Sequence, residues 1–87
     1  AEVQKVEMKD DVTKVEISKT DIAGEELPGA KLTILDENGE VMESWTSSEE
    51  PHYIEMLPIG RYILHEESAP EGYLVAEDIE FEVKDTV

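Results

Sequence analysis

The chain has 87 residues, 23 of them acidic and 7 basic, a net charge of −16, and no cysteine. That balance excludes nucleic acid and anionic membrane surfaces as partners, since both require a basic footprint, and the absence of cysteine excludes a disulfide framework or a thiolate metal site. One small domain is expected, near the size at which a single core is only marginally stable, with 39% hydrophobic residues and five aromatics to build it.

The first segment, 1–11, reads AEVQKVEMKDD. Val6, Met8 and Asp10 alternate onto one face and Lys5, Glu7 and Lys9 onto the other, the period of a strand. In Lys14–Thr20, Val15 and Ile17 alternate with Glu16 and Ser18, and the next apolar-side position is Lys19. A lysine aimed into a core must snorkel to water, meet a buried carboxylate or do chemistry. A loop marked by Gly24 and Pro28-Gly29 follows. Lys31–Asp36 is expected as a strand with Leu32 and Ile34 inward. Asn38-Gly39 is a strong hairpin signal, and Val41–Thr46 is the return strand carrying Trp45.

His52–Leu57 reads as a short strand stopped by Pro58 and Gly60. In Arg61–Glu67 one face carries Tyr62, Leu64 and Glu66, the other Arg61, Ile63 and His65; the Tyr62 face is the better inward choice, which brings Glu66 indoors. Ser68–Tyr73 is a turn, and Ile79–Asp85 is a final strand with Ile79, Phe81 and Val83 inward. No segment sustains a helical period, and turn signals recur at short intervals. That combination is the mark of an all-β sandwich or barrel.

Catalytic and metal motifs do not emerge. In Asp36–Glu40 the glycine comes too early for a calcium loop, and no bidentate glutamate follows at the required spacing. His52 and His65 are too isolated to suggest zinc, and Ser47-Ser48 lacks a histidine placed as a base. No phosphate-cradling glycine loop or cofactor motif occurs. No apolar run approaches membrane-spanning length. The acidic surface reads as solubility and spacing between neighbouring domains.

What remains is one ionisable group on the apolar face of each of three strands: Asp10, Lys19 and Glu66. If they meet, burial favours a neutral lysine amine, which is a nucleophile, and a neutral glutamic acid, which can polarise the Asp10 carbonyl and move protons as water is lost. Fixed proximity then drives formation of a Lys19–Asp10 isopeptide. The plainer alternative is a buried Lys19–Glu66 ion pair with Asp10 in solvent.

Four motifs carry a family resemblance: Val15–Asp21 (VEISKTD), Leu27–Leu32 (LPGAKL), Leu57–Tyr62 (LPIGRY) and, most specific, Glu66–Tyr73 (EESAPEGY). They resemble the collagen-adhesin B-type, or SpaA-like, repeat domain of Gram-positive surface adhesins and pilins. The resemblance implies an Ig-like (prealbumin-like) β-sandwich of about seven strands in an extracellular, cell-wall-anchored protein. It also implies an isopeptide from the first-strand lysine, here Lys19, assisted by the glutamate before Ala-Pro, here Glu66. The family acceptor lies in a strand after the Phe-x-Val-x-Asp strand, beyond Val87. Val6–Asp10 (VEMKD) is similar to that acceptor strand, as also used in SpyTag/SpyCatcher-type split pairs. Residues 1–11 are therefore expected to correspond to the family's last strand, phase-shifted or permuted, and 12–87 to a sandwich lacking its own C-terminal strand. Asp85 is a weaker acceptor, and Asn38, in a hairpin, is not one.

The family acceptor strand runs parallel to the lysine strand. Four steps from Asp10 to Lys14 span at most about 14 Å, whereas Lys14 to Lys19 covers roughly 17 Å, so self-closure is strained. The expected partner is another copy of the chain or an adjacent repeat, joined head to tail by strand exchange. The leading reading is a structural stalk module with single-turnover crosslinking at most and no cofactor. Other readings are an adhesin domain that binds a host surface protein, an engineered ligation or self-polymerising module, and a repeat that folds without reacting.

Overall fold

The computed structural model describes residues 2–8, 15–55 and 57–84. Seven strands account for its regular structure: β1 (Glu2–Met8), β2 (Val15–Asp21), β3 (Lys31–Asp36), β4 (Val41–Thr46), β5 (His52–Ile54), β6 (Gly60–Ser68) and β7 (Ile79–Val83). They form a three-stranded sheet ordered β1-β2-β5 and a four-stranded sheet ordered β4-β3-β6-β7, with every pairing antiparallel. Alternation along the strands places one apolar face of each sheet inward, and the two faces make the core. The all-β, prealbumin-like sandwich of seven strands is therefore present.

The core is built from Val15 and Ile17 of β2, Leu32 and Ile34 of β3, Ile54 of β5, Tyr62 and Leu64 of β6 and Val83 of β7, with Ala30 and Leu57 from the connections. Val6, Trp45, Ile79 and Phe81 pack against its margin. The inward choice for β6 holds: Tyr62 and Leu64 are buried, whereas Ile63 is only half-buried. Tyr62 stacks on Phe81 of β7 with ring centroids 5.7 Å apart and donates its hydroxyl to the Pro58 carbonyl at 2.6 Å.

The β3–β4 hairpin closes where Asn-Gly stands. Gly39 adopts a φ of 82°, a region that costs glycine little, and the Asp36 carboxylate accepts the Asn38 and Glu40 amides at 2.8 and 2.9 Å. Two expected strands are shorter than their patterns. β5 ends at Ile54, with Leu57 buried as a loop residue and Met56 outside the described residues. β7 ends at Val83, and Asp85 also lies outside them. Alternation marks a face but not a ladder: a strand ends where no neighbour remains to pair with it.

Ser47 joins the sheets' connections. Its buried hydroxyl accepts the Ala30 amide at 2.9 Å and donates to the Leu27 carbonyl at 2.7 Å. These bonds hold the Leu27–Ala30 loop against the start of β3, beside the lysine-bearing end of β2.

Candidate functional site

The inward positions of β2 run Val15, Ile17, Lys19, and those of β6 run Tyr62, Leu64, Glu66. Because the strands lie in opposite sheets, the two ionisable side chains meet across the interior. Lys19 Nζ lies 2.8 Å from Glu66 Oε2, with 1% and 0% of the respective side chains exposed. The contact is an ion pair rather than a well-directed hydrogen bond. Alternation turns each residue inward on its own strand, and the pair joins one sheet to the other.

A third group holds the carboxylate. The Ala76 amide donates to Glu66 Oε1 at 2.6 Å. Ala76 belongs to the connection between the Pro70–Tyr73 turn and β7. That turn is closed by the Tyr73 amide on the Pro70 carbonyl at 3.1 Å, with Gly72 at a φ of 88° in its third position, the type II pattern. The Glu-x-x-Ala-Pro-x-Gly-Tyr motif thus both supplies the glutamate and turns the chain back so that its own backbone caps it. No side-chain pattern announces a backbone donor, so sequence reasoning missed it.

The backbone of Lys19 is engaged on both sides. On one, β1 pairs antiparallel with β2 in the register Gln4↔Lys19, Val6↔Ile17, Met8↔Val15. On the other, the Lys19 carbonyl accepts the Leu27 amide at 2.7 Å, and the neighbouring Thr20 bridges to Glu26. The residue opposite Lys19 is therefore Gln4, and each further step along β1 moves away from Lys19. Gln4 donates its amide to the Glu77 carbonyl at 3.3 Å, while its Oε1 is buried with no hydrogen-bond partner among the described residues. The expected acceptor Asp10 and the weaker candidate Asp85 both lie outside the described residues. Asn38 sits in the β3–β4 turn.

The two histidines have local partners. His52 stacks on Trp45, with ring centroids 4.1 Å apart and planes 10° from parallel, and its Nε2 contacts Glu43 at 3.0 Å. This cluster ties β4, at the edge of one sheet, to β5, at the edge of the other. His65 Nδ1 lies 2.7 Å from Asp78.

The chemistry open to the site is that of an amine and a carboxyl group sealed from water, with a strand slot beside them. Residues 13–87 match the family model of the SpaA prealbumin-like fold domain, so the match includes Lys19, Glu66 and strands β2 to β7 but not β1. No curated protein matches the chain. The chain belongs to the SpaA prealbumin-like domain family, a structural rather than enzymatic family found in Gram-positive cell-wall surface proteins and pilins.

Proposed function

We propose that the chain is an extracellular stalk module of a Gram-positive surface adhesin or pilin, hardened by an autocatalytic isopeptide between Lys19 and an Asp10 delivered by another copy or an adjacent repeat. The observation that carries this reading is the buried Lys19–Glu66 pair, 2.8 Å apart and joining the two sheets. A buried ion pair recovers its desolvation cost poorly, so such a pair is weak evidence of a device for stability alone. As a reactive pair it makes chemical sense. A proton passed from Lys19 Nζ to Glu66 gives a neutral amine and a neutral acid. The acid hydrogen-bonds the Asp10 carbonyl oxygen while the amine attacks its carbon; the nitrogen then gives up a proton through Glu66 to the departing hydroxyl, the C–O bond breaks and water leaves. Preset geometry in such reactions is equivalent to effective concentrations of about 10⁵–10⁸ M, which drives an amide that free side chains do not form.

The two engaged edges of Lys19 support a route by strand exchange. The Leu27 side belongs to the folded loop, so an incoming acceptor strand takes the β1 slot. β1 is also the segment that leads to Asp10, so one chain's β1 leaves its own β2 and adds to the next. The resulting bond would tie each module covalently to the next, so that the joint bears tension in a domain without cysteine.

Intact mass under denaturing conditions tests this reading. The expected result is a ladder of covalent multimers, each link lighter by one water, absent from Lys19→Ala and Glu66→Ala. Full-mass monomer throughout would refute the crosslink, and a monomer lighter by one water would refute exchange.

A further inference from the structure

Gln4 is the side chain that the β1–β2 pairing sets against Lys19, and nothing in the proposed function uses it. The two residues are directly opposed in the β1–β2 ladder. Opposed side chains on one face have Cβ atoms about 4.5–5.5 Å apart, a gap shorter than an extended lysine side chain. Lys19 is buried on this face, and the next inward residue of β1, Val6, packs against the core. Two consecutive residues also bring Gln4 towards the glutamate: Ala76 donates its amide to Glu66, and Glu77 accepts the Gln4 amide through its carbonyl. The carboxamide is therefore held by its nitrogen, while its buried oxygen lacks a donor among the described residues. A protonated Glu66 is the group chemically suited to supply one.

We propose that Gln4 is a second acyl donor to Lys19, forming a Lys19–Gln4 amide within one chain and releasing ammonia. This inference rests on the reading of Lys19 as nucleophile and Glu66 as proton carrier, and adds a different acceptor in a different pairing state of β1. Neutral Nζ attacks Cδ of Gln4, and the carbonyl electron pair moves onto Oε1, which Glu66 hydrogen-bonds. Nζ gives up a proton through Glu66 to the carboxamide nitrogen, the Cδ–Nε2 bond breaks, and ammonia departs. One C–N bond forms and one breaks, with no oxidant or reductant. Lys19 thus has an acyl donor in each state: Gln4 when β1 stays on its own sheet, Asp10 when β1 is exchanged.

The two products differ in size and in what they lose, so intact mass with peptide mapping separates them. Gln4 and Asn38 are the only carboxamides in the chain, so an Asn38→Asp background removes the one other source of ammonia loss. In that background the expected product is a monomer lighter by one ammonia, with a mapped Lys19–Gln4 link. Gln4→Glu should give a monomer lighter by one water with the same two positions joined. Gln4→Leu should abolish the ammonia-lighter monomer while leaving the water-lighter multimers, and Lys19→Arg and Glu66→Leu should each give only monomer at full mass. Water-lighter multimers without any ammonia-lighter monomer would overturn this inference and leave the proposed function standing. Ammonia-lighter monomer without multimers would support it and overturn exchange. Full mass in every species would overturn both.

Discussion

Replacing Lys19 by methionine tests how far the buried pair governs the fold. The substitution keeps the stem and removes the charge, leaving the Glu66 carboxylate sealed from water with the Ala76 amide still on its Oε1. The background is Asp10→Ala with Gln4→Leu, where neither proposed amide forms. Removing one partner of a buried ion pair costs about 3–5 kcal/mol because the other charge stays buried and uncompensated. A domain of this length has roughly 4–13 kcal/mol in total, at about 0.05–0.15 kcal/mol per residue. The loss is thus at least about a quarter of the whole. Urea unfolding followed by the fluorescence of Trp45, the only tryptophan, should show a midpoint lower by roughly 2–3 M at a slope of about 1.5 kcal/mol per M. Adding Glu66→Leu removes the stranded charge at the expense of the Ala76 hydrogen bond. It should bring stability back to within about 2 kcal/mol of the background. A Lys19→Met protein within about 1 kcal/mol of the background, or a double variant whose loss is the sum of the two single losses, would refute the idea of a sealed, coupled pair.

Two further predictions concern the strand slot and the core tyrosine. Lys5 and Ser18 are opposed in the β1–β2 ladder, where Cα separations of about 4.5–5.5 Å suit a disulfide. Lys5→Cys with Ser18→Cys should therefore form no covalent multimers when oxidised and recover them on reduction, read by denaturing electrophoresis; an unchanged ladder in the oxidised protein would refute exchange through β1. Burial, then the nearby Asp36 and Glu37 carboxylates, push the Tyr62 phenol above its ordinary 10.0. The neutral phenol's contribution is fully present below that value and is lost as pH rises through the folded-state value. Unfolding free energies compared between about pH 8 and pH 11 should fall more steeply for the native chain than for Tyr62→Phe, and equal slopes would refute the assignment.

The two ends of the buried pair were legible because strand alternation is local. Val15, Ile17 and Lys19 share a face whatever β2 packs against, and so do Tyr62, Leu64 and Glu66. The Asn38-Gly39 turn was legible for the same reason, since its positive φ is a demand on one residue. Ala76 was not, because a backbone amide has no side-chain signature. The Trp45–His52 stack was not, because its rings come from edge strands of different sheets.

For β1 the alternation of 1–11 indicates a strand and an inward face but not a neighbour. Pairing direction and register depend on which edge is open after the other strands have packed, and that is a property of the whole sandwich. From the residues alone follow an all-β domain, an inward lysine on one strand and an inward glutamate on another. Only the tertiary structure decided that these two meet at 2.8 Å, that Leu27 takes one edge of Lys19, and that Gln4 stands at the other. The period of a strand is set by each residue's own backbone, whereas contact across a sandwich requires all seven strands at once.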